Sequence, residues 1–369
     1  MASTGPGVKE SLSGTSLMIE ANTPLLRLLR TYWPLVMLSL GLLIIVAIVD
    51  SSGDVILAQT LIEGLVRIVI VAALYLFIGN SGIISFGHIG FVMIGAYATA
   101  WQTCCPYTRE MFMPGLPVYL LNNSHHFVLA IFLGGLLAAV VALISGYAIM
   151  RLSGIAASIG TFALMMVFYS IYLRWSTWTS GASSVIGLPT TTTPWVGYAY
   201  AVVAIVGAFL YSRSKWGLAL RSSRDDEVAA KAAGVNVFGQ RLLAFVVSAF
   251  FCGMAGGLFG HFLGMLTVDS FGLGMTFITL SMLVLGGMQS LTGAVVGVVV
   301  LSFLIDILRR LENGMVSGLN LPTSSAEVFV GIVIILILMF RQSGITGNQE
   351  VYWPFKGDVS ASSAMKRQS

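Results

Sequence analysis

The sequence predicts an all-α polytopic membrane protein of about ten transmembrane helices. Of its residues, 57% are hydrophobic and only 9% charged, with a mean hydropathy of +0.91. A soluble domain carries nearer a quarter charged residues. The apolar residues gather into runs long enough to cross a hydrocarbon core about 30 Å thick, which takes roughly 20 helical residues. The basic residues are also sorted to one side of the membrane once the runs are counted, as cytoplasmic loops require.

Residues 1–31 read as a cytoplasmic N-terminal extension. Their first part mixes Gly, Ser and Thr with Lys9 and Glu10 and has no apolar core, so no cleavable signal is expected and the first apolar run is a retained helix. The transmembrane domain covers 32–341, with candidate spans at 32–49, 61–79, 87–103, 127–150, 154–174, 196–212, 241–264, 274–288, 290–308 and 327–340. The third, eighth and ninth are punctuated by glycine and read as short or re-entrant. Residues 342–369 form a cytoplasmic tail.

With the N-terminus inside, this count puts Lys9, Arg27, Arg30, Arg151, Arg213, Lys215, Arg221, Arg224, Lys231, Arg241, Arg341, Lys356, Lys366 and Arg367 in the cytoplasm. Only Arg109, Arg174, Arg309 and Arg310 fall outside, and Arg67 lies within a span. That bias supports an even number of spans and two cytoplasmic termini. Within the spans, Gly256, Gly260 and Gly264 recur every fourth residue, and Gly293 and Gly297 repeat the spacing. Small residues so placed let helix backbones approach in lipid. Cys104, Cys105 and Cys252 have no disulfide or metal spacing and read as free thiols.

Two segments stand out chemically. Between the second and third spans the chain reads Gly79-Asn80-Ser81-Gly82-Ile83-Ile84-Ser85-Phe86-Gly87-His88. This composition favours non-helical backbone, tolerated at membrane depth only inside protein or beside a water-filled cavity. Gly79, Gly82, Ser85, Gly87 and His88 are therefore candidates for a hinge or translocation pathway, or for a tight helix-helix turn in which His88 is hydrogen-bonded. A second Gly-rich interruption lies near Gly286.

The other segment is the longest cytoplasmic loop, 213–241. Asp225 is a candidate N-cap, Asp226 and Glu227 complement the helix dipole, Lys231 suits the far end, and Gly234 supplies a left-handed stop. Val228, Ala229, Ala232 and Val235 then share one narrow face of small apolar side chains. Such a helix suits a groove on another protein, or is a solvated loop element.

These residues resemble the LivM-type inner-membrane permeases of branched-chain amino acid ABC transporters. The likeness runs from about Leu61 to Gly347. It rests on Gly79-Asn80-Ser81-Gly82, Ser85-Phe86-Gly87-His88, Gly95-Ala96-Tyr97, Arg151-Leu152-Ser153-Gly154 and Gly187-Leu188-Pro189. It continues through Trp216-Gly217-Leu218-Ala219-Leu220-Arg221, the run from Glu227 to Gly234, Gly253-Met254-Ala255-Gly256-Gly257 and Gly286-Gly287-Met288-Gln289-Ser290-Leu291-Thr292-Gly293.

The resemblance implies a bacterial inner-membrane importer subunit that moves branched-chain amino acids by alternating access. By it, the loop helix over Asp226, Glu227, Ala229, Ala232, Ala233 and Gly234 is the coupling helix that engages an ATPase. It further implies a homologous LivH-type second permease, ATP-binding cassette subunits and an extracytoplasmic substrate-binding protein. ATP is hydrolysed by those partners, because no Gly-Lys pair of a phosphate-binding loop occurs in this chain. No cofactor, metal or nucleic-acid partner is expected.

Gln289 stands where such permeases usually have glycine, and Arg341-Gln342-Ser343-Gly344 replaces an Arg, Pro, Gly pattern. Related permeases carry urea, short amides or small aromatic carboxylates, which are the alternative cargoes. A self-powered carrier or channel would need ionisable groups at mid-membrane, for which Glu63 and Arg67 are candidates, although a compensating pair explains them. A membrane enzyme would need clustered catalytic groups, and His125 and His126 stand in an outside loop without spaced partners. The outside segment 175–193, rich in Ser, Thr and Gly, is a candidate for receiving cargo through Thr179, Ser180 and Gly181, or is an ordinary polar loop.

The topology has a direct test. A cysteine introduced at Ser223 should resist a membrane-impermeant thiol reagent applied to intact cells and react after permeabilisation; labelling from outside would invert the orientation.

Overall fold

The computed structural model describes residues 24–312, 328, 331, 332, 335, 339, 344–347 and 350. The extension up to residue 23, most of the tenth expected span and nearly all of the tail lie outside these residues. In chain order the helices are α1 (Pro24–Ser52), α2 (Val55–Ser81), α3 (His88–Thr103), α4 (Pro106–Phe112), α5 (Val118–Asn122), α6 (Phe127–Ile149), α7 (Gly154–Arg174) and α8 (Ser176–Thr179). They continue with α9 (Pro194–Arg213), α10 (Lys215–Asp225), α11 (Glu227–Ala232), α12 (Val237–Leu263), α13 (Leu273–Gly286) and α14 (Leu291–Glu312).

Eight of the described helices are long and apolar enough to cross a membrane: α1, α2, α6, α7, α9, α12, α14, and α13 taken with the 3-10 turn Val268–Phe271 before it. The chain is thus a multi-pass helical membrane protein. The third expected span is different in kind. At 16 residues α3 is about 24 Å long, too short for a hydrocarbon core of about 30 Å. Every side chain from His88 to Gln102 is buried.

Helix ends follow local chemistry. Asp54 caps α2, its Oδ1 accepting from the amides of Ile56 at 2.9 Å and Leu57 at 3.4 Å. Gly82 ends that helix at φ 72°. Asn236 caps α12 through the amide of Gly239 at 3.0 Å. Gly264 stops α12 at φ 71°, so it is the helix terminator and not part of the packing face its spacing predicts. Just beyond it, β2 (Met265–Leu266) pairs antiparallel with β1 (Val185–Ile186), closing that end of α12.

The bundle is assembled around α12, which packs on α3, α6 and α2. α1 and α7 are peripheral, with few of their side chains buried. Glycine permits the central contacts. A β-carbon at Gly256 would lie 1.9 Å from the Val92 carbonyl oxygen, and one at Gly95 2.1 Å from that of Gly253. At Gly134 and at Gly257 it would lie 2.6 Å from Thr99 Oγ1. A second junction joins α13 to α14, where a β-carbon at Gly286 would meet the Gly293 oxygen at 1.9 Å and one at Gly297 the Met282 oxygen at 2.1 Å. The spacing at Gly256, Gly293 and Gly297 therefore marks real backbone approach. Because apolar side chains gain little by leaving lipid for protein, such contacts carry much of the cohesion.

Gly256→Val should accordingly lower thermal stability in detergent by about 3 kcal/mol or more, the upper range for overpacking a filled core. Gly274→Ala, at an exposed position with nothing within 4 Å, should be neutral in the same unfolding measurement.

Candidate functional site

The 213–241 loop is two helices joined at a corner. α10 is capped by Ser214, whose Oγ accepts from the Gly217 amide at 3.2 Å, and runs to Asp225. Asp226 is the N-cap of α11, its Oδ1 accepting from Val228 at 2.9 Å and Ala229 at 3.0 Å. Asp225, the cap expected from sequence, is instead the last residue of α10 and pairs with Arg224 at 3.2 Å. α11 spans six residues, shorter than the stretch from Asp226 to Ala233. Gly234 adopts φ 85° as expected of a left-handed stop, and the Val235 amide donates to the Ala230 carbonyl at 3.0 Å.

Ala230 is buried and anchors α11, while Val228, Ala229, Ala232 and Ala233 are exposed. The narrow face of small side chains therefore has no partner among the described residues. Glu227 fixes the helix from the other side. Its carboxylate meets Lys231 Nζ at 2.8 Å and Arg241 Nη2, at the base of α12, also at 2.8 Å. Hydrogen bonds from Lys231 and then Arg241 hold the Glu227 carboxyl below its ordinary value of 4.5. A lowered carboxylate stabilises the folded state above the unfolded value and loses that contribution only as pH falls through the folded one. The clamp is thus complete at neutral pH.

Ser223 is buried with its hydroxyl on the Leu220 carbonyl, so Ser222, which is exposed, is the better position for a topology reporter.

Just before the corner, Arg224 leaves the loop and enters the bundle. Its Nη1 donates to the Gly79 carbonyl at 2.7 Å, and its aliphatic stem covers Gly82, where a β-carbon would lie 2.6 Å from Cγ. Beyond Gly82 the backbone is non-helical up to His88. Ser81 Oγ accepts from the Ile83 amide at 3.2 Å, Thr161 Oγ1 from Phe86 at 3.3 Å, and Ser85 Oγ from Gly87 at 3.4 Å. Gly87 lies so near α7 that a β-carbon would be 2.7 Å from the Thr161 oxygen.

His88 is fully buried. Its Nδ1 is 2.8 Å from Ser85 Oγ and its Nε2 2.8 Å from Ser248 Oγ, with Phe77, Phe91 and Phe245 packed around the ring. Both ring nitrogens are therefore engaged, and His88 acts as a positioning residue for the start of α3.

The second interruption, Gly287 to Ser290, abuts the first. A β-carbon at Gly79 would lie 2.7 Å from the Met288 oxygen. Segments two hundred residues apart in sequence, near Gly79 and Gly286, thus form one site. Residues of the C-terminal tail complete it. The Ile345 amide donates to the Leu285 carbonyl at 2.8 Å, and Thr346 Oγ1 to that of Gly286 at 2.8 Å. Glu350 caps α14 by accepting from the Leu291 amide at 2.6 Å and Thr292 Oγ1 at 3.0 Å.

In the 175–193 segment, Thr179 is fully buried, its hydroxyl donating to the carbonyls of Tyr172 at 2.6 Å and Trp175 at 2.8 Å. Ser180 is the non-glycine residue with positive φ among those described, at 63°, and Gly181 follows at 61°. Thr179 and Gly181 build the turn, leaving Ser180 as the more accessible of the three. Arg109 is fully buried without a carboxylate partner among the described residues and organises the neighbouring loop, donating to the carbonyl of Leu120, to those of Cys104 at 2.6 Å and Asn123 at 2.8 Å, and to Ser124 Oγ at 2.6 Å.

Sequence reasoning treats Arg224 and Arg241 only as topology markers and passes over Glu350 and Ser248. Their partners lie in distant segments, so no local spacing reveals them. Asp306 did carry a signal, as an acid within an apolar run. It pairs with Arg310 at 2.8 Å and accepts from Thr60 Oγ1 at 2.9 Å, beside the Glu63–Arg67 pair, which Arg309 joins at 3.5 Å. No group of residues suited to a metal ion occurs among the described residues.

Comparison with known proteins extends these observations. The chain is 24% identical over 301 residues to the high-affinity branched-chain amino acid transport system permease protein LivM of Escherichia coli (strain K12), covering 76% of this chain and 68% of LivM. It is 26% identical over 296 residues to the corresponding protein LivH of Salmonella typhimurium, covering 74% and 88%. A shorter stretch of 147 residues is 24% identical to the autoinducer 2 import system permease protein LsrC of Photorhabdus laumondii, covering 39% and 43%. No solved structure matches the chain significantly. Residues 56–338, which hold both interruptions and α11, match the family of branched-chain amino acid transport system permease components, and the protein belongs to that family.

Proposed function

We propose that this chain is a transmembrane subunit of an ATP-driven importer in the bacterial inner membrane, and that it moves branched-chain amino acids by alternating access. A homologous second permease, ATP-binding cassette subunits and an extracytoplasmic binding protein complete the assembly, and the ATPase subunits supply the energy. The observation that carries this reading is the path from α11 to the interrupted helices. α11 presents a small apolar face without a partner among the described residues, and Arg224, two residues before its cap Asp226, grips the Gly79 carbonyl. A helix of six residues is not stable alone in water. Here its caps, Ala230 and the Glu227 clamp hold it ready for a partner.

Motion imposed on α11 by an ATPase reaches the first interruption through Arg224 and, because Gly79 abuts Met288, the second. The names of the similar proteins favour branched-chain amino acids as cargo. Leucine, urea and aromatic acids tested against the cognate binding protein would separate this cargo from its alternatives.

Three variants examine the mechanism in vesicles holding the complete importer. Ala232→Trp should hold the ATPase away and cut uptake roughly tenfold, the factor set by a loss of about 1.4 kcal/mol in docking. Gly234→Val meets no neighbour within 4 Å, so its effect is the cost of about 1–2 kcal/mol for a side chain in the left-handed region, read as reduced substrate-stimulated ATP hydrolysis. Arg224→Ala should retain subunit assembly and basal ATP hydrolysis while uptake falls. Normal uptake in all three would make α11 a solvated loop element.

A further inference from the structure

Where α9 leaves the membrane, its last residue, Arg213, borders an open pocket of about 380 Å³ that Arg221, Tyr75, Gln289 and Glu350 also line. Arg213 is exposed and holds its guanidinium 4.7 Å from the centre of the Phe209 ring. Arg221 donates through Nη2 to the Ser212 carbonyl, and its buried Nε has no hydrogen-bond partner among the described residues. Neither arginine makes an ion pair among those residues. The carboxylate in the lining, Glu350, is engaged with the Leu291 and Thr292 amides, at 2.6 and 3.3 Å. The pocket therefore holds two guanidinium groups against one carboxylate whose hydrogen bonds go elsewhere.

Its depth and apolar edge narrow the ligand. Phe209 and Leu218 share the lining, and Leu218 is 57% exposed. Next to it, Trp216 is 46% exposed with Lys215 Nζ 5.4 Å from its ring centre. Tryptophan and basic side chains at the end of a spanning helix mark headgroup depth, where the charged tip meets lipid phosphate and the stem meets acyl chain. Arginine suits phosphate because its planar donors match two oxygens at once.

We propose that this pocket binds the phosphate of an anionic phospholipid headgroup, with Arg213 and Arg221 holding the phosphate and Phe209 and Leu218 offering apolar contact to the start of the acyl chains. The proposal rests on the pocket's place at the end of a spanning helix and not on the cargo or partners proposed above. A lipid there would bridge α9, α10 and the second interruption.

The test is lipid retention by the purified full-length protein in neutral detergent, followed by native mass spectrometry and thermal unfolding. Phosphatidylglycerol should bind and raise the unfolding temperature, whereas phosphatidylcholine and inorganic phosphate at equal concentration should not. R213Q should retain phosphatidylglycerol roughly fivefold less, the factor one basic side chain contributes at an anionic surface. E350Q, which removes the opposing charge while keeping an acceptor for α14, should retain more. Added salt should weaken the wild-type binding. Equal stabilisation by inorganic phosphate would make this a free-anion site and overturn the lipid assignment. So would equal retention of phosphatidylcholine, unchanged binding in R213Q, or no gain in E350Q.

Discussion

A helix that stops inside an apolar bundle leaves amides and carbonyls that water cannot reach, and each must find another partner. The central architecture of this protein answers that constraint at two places. At the first, the Gly79 carbonyl takes Arg224, and the amides beyond it take Ser81, Thr161 and Ser85. At the second, the last carbonyls of α13 take Ile345 and Thr346, and the first amides of α14 take Glu350. The partners come from the interruption's own serines, from the α10–α11 loop, from α7 and from the C-terminal tail. Satisfying the two interruptions therefore ties together parts of the chain that no spanning helix connects.

That arrangement turns a polar requirement into a mechanical one. Arg224 sits on the last turn of α10, and Asp226, two residues on, caps α11. Glu227 holds the same corner to the base of α12 through Arg241. The corner thus grips the bundle at two points, the interruption after α2 and the start of the helix at its centre. A push on α11 has no slack loop in which to dissipate. Close glycine contacts between α12 and α3, and between α13 and α14, leave little room for side-chain repacking. The expected response is rigid shifts of helix pairs rather than local softening.

Much of this was legible in the sequence. Hydropathy located the long helices, and glycine and serine content located both interruptions. The α11 corner was also readable, down to Gly234 and the exposed face of Val228, Ala229 and Ala232, because caps and stops are local in sequence. The error at Asp225 is local too: with two adjacent acids, only the end of α10 decides which one caps. What could not be read were the long pairings. Nothing near Gly79 names Arg224, nothing near Leu291 names Glu350, and His88 shows no sign of Ser248. Thr179 is a related case: a hydroxyl that looks available in a polar loop closes its own turn.

The shortness of α3 bears on how this protein tolerates change. Shielded by its neighbours, α3 is buried on every side, so its composition answers to protein packing. It carries His88, Thr99 and Gln102, whose hydrogen bonds all end within protein. Its substitutions are judged by fit against Gly253, Gly256 and Gly134, so a change of volume there is costly, and so is a polar group left without a partner. The peripheral α1 and α7, with few side chains buried in this chain, are less bound by shape and more by remaining apolar. Mutational scans should therefore divide these segments by volume on one side and by polarity on the other.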